Sequence, residues 1–173
     1  MVLKIVGSLL VITFSTIAGF KLGNDYKSRI LELKMLKQFL ILLRGEIKYH
    51  KTPINEALSN IYGRSGKNID VMLKVIIDDI KSSNKKEFAK IWEHGIIELK
   101  KETNLTDEDL QKLAQFGANI GFLDKETQIN TIDLYLEKLE EDIKNLMAKL
   151  DEKCRIYNVC GVLTGIFIVL LIV

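Results

Sequence analysis

The chain has 173 residues, 47% of them hydrophobic, and its 25 basic and 23 acidic side chains give a formal net charge of +2. Because both signs of charge are mixed along the chain, no broad basic face is expected, which argues against nucleic acid as a partner. One proline, few glycine turns and no sustained alternation of apolar and polar residues predict an all-α protein.

The chain begins with an apolar stretch, Ile5 to Phe20, that contains no charged residue. It holds several hydroxyl side chains, so it is expected to cross a bilayer with Lys4 and Lys21 reaching toward the headgroups. Residues 1–22 are therefore predicted to form an N-terminal transmembrane helix. A cleaved signal peptide is the alternative, although no small-x-small cleavage site is evident and the apolar core is long for a signal.

Residues 23–155 are predicted to form an antiparallel bundle of about six helices, whose long first and last helices continue into the membrane spans. The first helix carries a narrow apolar seam at steps of three and four residues: Leu33, Leu36, Leu40, Leu43 and Ile47. After it, Thr52 is expected to cap the second helix and Pro53 to occupy its first turn. A third helix follows the turn at Gly63 to Gly66.

Capping residues open the next three helices: Asn84 with Glu87, Thr106 with Asp109, and Asp124. Gly121 is predicted to end the fifth helix in the left-handed conformation. Three aromatic residues fall at helical spacing and are predicted core residues rather than an exposed anchor for a partner: Phe88, Trp92 and Phe116. The GxxxG spacing of Gly117 and Gly121 suggests close helix packing.

The sixth helix has the clearest period, with seam residues at alternating steps of four and three: Ile129, Ile132, Leu136, Leu139, Ile143, Leu146 and Leu150. Since no breaker precedes Gly161, it is predicted to run unbroken from Lys125 into the second span. Its seam is expected to pair with that of the first helix within one chain. Self-association through the same seams is the alternative.

The chain ends with eighteen uncharged residues, Ile156 to Val173. A helix of this length rises ~27 Å, close to the hydrocarbon thickness of a bilayer. Residues 156–173 are therefore predicted to form the second transmembrane helix. Within it, Gly161 and Gly165 allow close approach to another membrane helix, either the first span or a partner's.

Basic residues flank the inner ends of both predicted spans, whereas the outer ends carry Lys4 and the chain amine. They are Lys21, Lys27, Arg29, Lys34 and Lys37 beside the first span, and Lys144, Lys149, Lys153 and Arg155 beside the second. The positive-inside rule predicts that the helical domain lies in the cytoplasm.

No pattern in the chain indicates an enzyme, a cofactor or a metal site. The turn at Gly66 and Lys67 lacks the first glycine and the final Ser or Thr of a phosphate loop. Glu46 and His50 share a helix face, a pair that more often forms a surface hydrogen bond than a catalytic base. Cys154 and Cys160 offer neither a disulfide framework nor a zinc spacing.

Two segments carry a family resemblance. One runs from Gly45 to Ile54 and contains Glu46, Tyr49, Thr52 and Pro53; the other runs from Phe116 to Gln128 and contains Asp124. Together with the short length and the two terminal spans, they resemble the stage III sporulation protein AB family over essentially the whole chain. Ile54 and Ile120 stand where that family usually has Leu.

The resemblance implies a non-enzymatic platform component of the channel complex between mother cell and forespore. It implies a domain similar to the helical F domain of type II secretion and type IV pilus platform proteins. The expected location is the mother-cell membrane, crossed twice, with the domain in the cytoplasm. The expected partners are a secretion-type ATPase and other channel-complex membrane proteins, with a second copy of the chain as a further candidate.

The two segments are expected to meet at the membrane-distal tip of the bundle. Six residues are therefore candidates for a docking surface: Glu46, Tyr49, Thr52, Pro53, Asp124 and Gln128. The alternative is structural, with Thr52 and Asp124 as helix caps and the other polar side chains forming one network that fixes the turn. A membrane-anchored scaffold that only self-associates is the alternative function.

Overall fold

The structure, a computed structural model, describes residues 2–82, 87–121 and 123–172. Throughout these ranges the regular structure is helical, as predicted for an all-α protein. The helices are α1 (Val2–Tyr49), α2 (Ile54–Ile61), α3 (Lys67–Ser82), α4 (Phe88–Glu102), α5 (Asp107–Ile120), α6 (Lys125–Ala148) and α7 (Leu150–Ile172). They form two compact units: unit 1, Met1–Ser28 with Asn145–Val173, and unit 2, Arg29–Lys144.

Unit 2 is organised around the predicted seam of α1. All five seam residues are buried, Leu36, Leu40 and Leu43 completely. Two ion pairs set the direction of α6 beside α1: Lys37 Nζ lies 3.1 Å from Glu140 Oε2, and Arg44 Nη2 donates to Asp133 Oδ2 at 2.9 Å. Arg44 follows Lys37 by seven residues in α1, whereas its partner Asp133 precedes Glu140 by seven residues in α6. The two helices therefore run antiparallel, and the predicted pairing within one chain is confirmed.

Trp92 of α4 occupies the centre of the unit 2 core. Its side chain is 1% exposed, and its indole N–H donates to the Leu113 carbonyl oxygen of α5 at 3.0 Å. The rings of Phe39, Phe88 and Phe116 surround it, with centroids 5.8 to 6.4 Å away. Trp92 and Phe116 are therefore core residues, as predicted, and Phe88 packs against Trp92 at the half-buried edge of the core.

The glycines of α5 make room for these aromatic rings. A Cβ at Gly117 would lie 2.0 Å from Trp92 Cδ1, and one at Gly121 would lie 2.5 Å from Phe88 Cδ1. The predicted close packing at Gly117 and Gly121 is confirmed. The predicted left-handed conformation of Gly121 is wrong, because its φ of −67° is right-handed. This glycine is needed for the space it leaves rather than for its φ.

Two helices, α2 and α4, start differently from the prediction. Thr52 does not cap α2: Pro53 is the N-cap residue, with no side-chain hydrogen bond, and the helix begins at Ile54. The Thr52 N–H instead bonds to the Glu46 carbonyl oxygen at 3.3 Å, which closes the end of α1. Asn84 lies outside the described residues, but the predicted pair of Asn84 and Glu87 is wrong, because the N-cap residue of α4 is Glu87 itself, with no side-chain hydrogen bond.

The predicted continuous last helix is interrupted at Lys149. The Lys149 N–H donates to the Leu146 carbonyl oxygen at 3.3 Å, a bond to the third rather than the fourth preceding residue. This tighter turn separates α6 from α7. Helix α7 then starts with Asp151 and Glu152 in its first turn, where carboxylates favour the positive end of the helix dipole.

Unit 1 contains the two candidate membrane helices. Among the described residues, one segment within α1 and one within α7 are long and apolar enough to cross a bilayer. Their large side chains point outward, as Phe14 in α1 and Phe167 in α7 illustrate. The two helices instead meet through small residues, which form the crossing described below.

Candidate functional site

The two segments that carry the family resemblance meet at one end of unit 2. The Lys125 ammonium, at the start of α6, donates a hydrogen bond to the Lys51 carbonyl oxygen in the loop after α1. Residues 46–53 and 124–128 are here called the motif end. Residues that are more than seventy positions apart in the chain therefore form one surface region.

Glu46 anchors the first half of the motif end. Its side chain is buried, and its Oε2 accepts a hydrogen bond from Asn60 Nδ2 of α2 at 3.1 Å. Arg64 Nη1 lies 3.9 Å from Glu46 Oε1, and His50 Nδ1 lies 3.9 Å from Oε2. Together with the Thr52 bond to the Glu46 carbonyl, these contacts fix α2 against the end of α1.

The exposed residues of this half are Lys48, Tyr49, His50, Lys51 and Pro53. Tyr49 is 71% exposed, and the Lys48 ammonium lies 5.6 Å from the centroid of its ring. In the turn after α1, Lys51 has a φ of 56°, which lies in the left-handed region. A residue with a Cβ rarely adopts this conformation, so the surrounding contacts hold the turn in place.

Asp124 and Gln128 shape the second half. Asp124 caps α6 as predicted, because its Oδ1 accepts from the Glu126 and Thr127 N–H groups at 3.0 and 3.1 Å. The Thr127 hydroxyl and N–H hold the pKa of the exposed Asp124 carboxyl below its usual value. The buried Gln128 amide donates to the Ile120 carbonyl oxygen at 3.0 Å, which joins the end of α5 to α6.

The six candidate residues thus divide into a support and a surface. Glu46, Thr52 and Gln128 are buried, whereas Tyr49, Pro53 and Asp124 are exposed. The expected single polar network is not formed, because Glu46 bonds to α2 and Gln128 bonds to α5, while the Tyr49 ring contacts Lys48. The three buried residues hold the backbone in place beneath the three exposed ones.

A second buried charge cluster in unit 2 was not foreseen from the sequence. The Arg29 guanidinium donates two hydrogen bonds to the Asp109 carboxylate, from Nε at 2.8 Å and Nη2 at 2.9 Å. Asp109 also completes the capping box with Thr106 at the start of α5, and that cap was predicted. Burial by itself raises the pKa of Asp109, but the bonds from Arg29 and Thr106 outweigh it and hold the pKa below its usual range.

Tyr135 of α6 lies close to this cluster, with its ring stacked on that of Phe116 at a centroid distance of 5.1 Å. Burial raises the pKa of its hydroxyl, and the carboxylates of Asp109 and Asp142 raise it further. The hydroxyl therefore stays protonated at any physiological pH. The only sequence signal for the cluster was an aspartate at the third position of a capped helix, which does not identify Arg29, eighty residues earlier, as a partner.

In unit 1, small residues bring α1 and α7 into backbone contact. A Cβ on Gly161 would lie 2.9 Å from the Gly19 Cα, and one on Gly165 would lie 3.0 Å from the Ile12 Cα. The Ser15 hydroxyl donates to the Gly161 carbonyl oxygen at 2.5 Å. The helix that approaches the two predicted glycines in this structure is therefore α1 of the same chain.

A family profile described as stage III sporulation protein AB matches residues 4–173. The chain belongs to this family. It is similar to stage III sporulation protein AB of Bacillus subtilis (strain 168), with 26% identity over 174 residues that cover 98% of this chain and 99% of the relative. A solved structure of a stage III sporulation protein AB has a TM-score of 0.62, with 22% identity, over 71% of this chain and 96% of that one.

The chain is therefore a helical member of a sporulation protein family. Its two candidate membrane helices fit a membrane protein. The family is named for sporulation and not for an enzyme activity. Among the described residues, no three His, Cys, Asp or Glu side chains are grouped in a way that could hold a metal ion.

Proposed function

We propose that this protein is a non-enzymatic membrane platform component of the channel complex between mother cell and forespore, and that it couples a secretion-type ATPase to that assembly. The observation that carries the proposal is the motif end. There the two family-like segments come together through the Lys125 bond to the Lys51 carbonyl, on a support of buried Glu46 and Gln128.

The ATPase would bind the exposed residues of the motif end. An aromatic ring with an adjacent ammonium group, such as Tyr49 with Lys48, offers both apolar area and charge at small entropic cost. The backbone beneath it is already fixed by Glu46 and its partners. A partner that binds here would therefore spend little free energy on ordering the surface.

The proposed location is the mother-cell membrane, crossed by both candidate helices, with unit 2 in the cytoplasm. The basic residues next to the inner ends of the spans support this topology. Other membrane proteins of the same complex would contact the lipid-facing sides of α1 and α7, which carry exposed apolar side chains such as Phe14 and Phe167.

The alternative of a scaffold that only self-associates has less support. The seams that would form an intermolecular coiled coil are occupied within one chain, since Leu36, Leu40 and Leu43 of α1 are fully buried. Self-association, if it occurs, would have to use other surfaces.

The docking proposal can be tested with two tyrosines of unit 2 that are both exposed. Tyr49→Ala is expected to weaken binding of the full-length protein, in detergent or nanodiscs, to the ATPase of the same complex by at least about tenfold, as for an interface hot spot. Tyr62→Ala is the control, since Tyr62 is 46% exposed but lies outside the motif end. Both variants should unfold like the parent, monitored by the fluorescence of the single tryptophan.

Equal binding by all three proteins would show that the motif end is not the docking surface. The broader role is tested separately by the yield of heat-resistant spores from an in-frame deletion in the source organism. The proposal expects a collapse that the full chain rescues and a version without residues 156–173 does not. Normal spore numbers in the deletion strain would contradict the channel role itself.

A further inference from the structure

A cavity of about 570 Å³ lies in unit 1 between α1 and α7. It occupies the level at which both helices change from uncharged to charged sequence: Lys21 is the first charged residue after the apolar stretch of α1, and Asn158 follows Arg155 in α7 by three residues. In a bilayer this level corresponds to the headgroups, because the uncharged stretches fill the hydrocarbon region.

The wall that α1 contributes to the cavity is basic. Lys21, Asn24 and Lys27 line it at steps of three residues, which places them on successive turns of one helix face. No carboxylate is among the lining residues, so the charged groups that line the cavity are both positive. The apolar side chains of Ile17 and Phe20 continue the lining toward the hydrocarbon side, where an acyl chain would lie.

The wall that α7 contributes holds an unused hydrogen-bond acceptor. Asn158 Oδ1 is shielded from solvent and has no hydrogen-bond partner among the described residues. Buried acceptors are seldom left unpaired, because their desolvation is then uncompensated. The nearby Cys154 thiol does not serve it, since that thiol points to the Gly23 carbonyl oxygen at 3.6 Å. A hydroxyl or amide donor from a ligand would satisfy Asn158.

We infer that this cavity binds the headgroup of an anionic phospholipid that carries hydroxyl groups, as phosphatidylglycerol does. Lys21 and Lys27 attract the phosphate, and a headgroup hydroxyl donates to Asn158 Oδ1. Basic pockets between membrane helices commonly hold anionic headgroups. A zwitterionic lipid is disfavoured because its cationic group would face the two lysines.

The test uses the full-length protein in mild detergent with equal amounts of phosphatidylglycerol, phosphatidylserine and phosphatidylcholine, and native mass spectrometry to count retained lipid. We expect phosphatidylglycerol to be retained about tenfold over phosphatidylcholine, the ratio that one or two charge-assisted hydrogen bonds provide. Lys21→Gln combined with Lys27→Gln should abolish this preference. The matched control is Lys149→Gln with Arg155→Gln, which removes two exposed basic residues of the same unit that do not line the cavity.

Asn158→Leu separates hydroxyl recognition from charge. It should equalise phosphatidylglycerol and phosphatidylserine while both remain preferred over phosphatidylcholine. An unchanged preference in the Lys21 and Lys27 double variant, or an equal loss in the control variant, would overturn the site. A soluble phosphate ester could present the same phosphate and hydroxyl groups, and glycerol 3-phosphate tests this alternative. If it displaces phosphatidylglycerol at equal concentration, the cavity is a site for a soluble phosphate and the lipid assignment is wrong.

Discussion

Unit 1 and unit 2 use apolar residues in opposite ways. In unit 2 the large side chains face inward, and Leu36, Leu40 and Leu43 are completely buried. In unit 1 they face outward: Leu170 and Leu171 are 75% and 73% exposed, and the helices meet instead at glycines. Unit 2 is therefore stabilised by removing apolar area from water, a driving force that does not act between helices in lipid.

The two units therefore depend on different interactions to hold their helices together. Unit 1 relies on close backbone contact at Gly19 and Gly161 and on the hydrogen bond from Ser15. Unit 2 uses glycines too, but Gly117 and Gly121 accommodate aromatic side chains rather than another backbone. The same GxxxG spacing thus has different physical meanings in the two units.

The largest effect is expected from Trp92→Ala in the unit 2 core. Loss of the ring and of its bond to the Leu113 carbonyl should lower the free energy of unfolding by about 3–5 kcal/mol, as for other buried aromatic truncations. Urea unfolding followed by circular dichroism measures it. Ile97→Ala on the same helix is the control, because Ile97 is 51% exposed. Similar losses for both variants would mean that Trp92 is not central to the core.

Asp109→Asn should produce the next largest effect, about 2–4 kcal/mol, because it removes the charged acceptor of two hydrogen bonds from Arg29 in a partly buried site. Asp107→Asn, on the same turn but exposed, should change stability by less than about 0.5 kcal/mol. Urea unfolding at neutral pH, followed by tryptophan fluorescence, measures both. Equal losses would indicate a general effect of charge at the start of α5.

The same aspartate predicts a pH dependence. The folded pKa of Asp109 is lowered, so its contribution is complete above the unfolded value of about 3.9 and is lost as the pH falls through the folded pKa. Unfolding midpoints measured from about pH 6 down to pH 3 should therefore fall more steeply for the parent than for Asp109→Asn. Parallel pH profiles would contradict a coupled Arg29 and Asp109 pair.

A smaller effect, confined to unit 1, is expected from Gly19→Ala. Its Cβ would lie 2.6 Å from the Tyr157 carbonyl oxygen, so the helices must separate, at a cost of roughly 1–3 kcal/mol. The readout is disulfide formation between Cys154 and a Gly23→Cys substitution, whose Cβ would lie 3.8 Å from the Cys154 sulfur. Gly7→Ala is the control, since nothing lies within 4 Å of a Cβ at that position.

Gly19→Ala should slow this disulfide, whereas Gly7→Ala should not. If both variants crosslink at the parent's rate, the backbone contact at Gly19 does not hold unit 1 together. The Trp92→Ala variant sharpens the comparison, because it should leave the crosslinking rate unchanged while it destabilises unit 2.

The smallest effect is expected from Lys37→Ala on the surface of unit 2. In the Lys37 pair with Glu140 the carboxylate is exposed and the lysine half-buried, so its loss should cost about 0–1 kcal/mol and less at high salt. Urea unfolding at low and high salt checks this. A loss comparable with that of Asp109→Asn would mean that surface charge pairs, rather than the apolar seam, hold α1 to α6.

Most of the fold could be predicted from the sequence, because periodic apolar residues determine which helix faces are buried. The seams of α1 and α6 and the cap at Thr106 are local patterns of this kind. The interruption at Lys149 was missed because no glycine or proline marks it. Gly121 was misjudged because a glycine needed for space and a glycine needed for positive φ look identical in a sequence.

The candidate site was less predictable, because burial of a polar residue depends on distant neighbours. Glu46 and Tyr49 lie three residues apart on one helix, yet Glu46 is buried by Asn60 of α2 and Tyr49 is exposed. The contact between Lys51 and Lys125 and the pair of Arg29 with Asp109 join residues far apart in the chain. Local periodicity carries no information about such contacts.

The seven-residue step between the two ion pairs of α1 and α6 restricts how the length of these helices can change during evolution. Deleting one residue between Lys37 and Arg44 would rotate the following part of the seam by about 100° and move Arg44 away from Asp133 when Lys37 stays beside Glu140. Insertions and deletions in unit 2 should therefore be tolerated in the turns between the short helices. In α1 and α6 they should occur as matched blocks of seven residues.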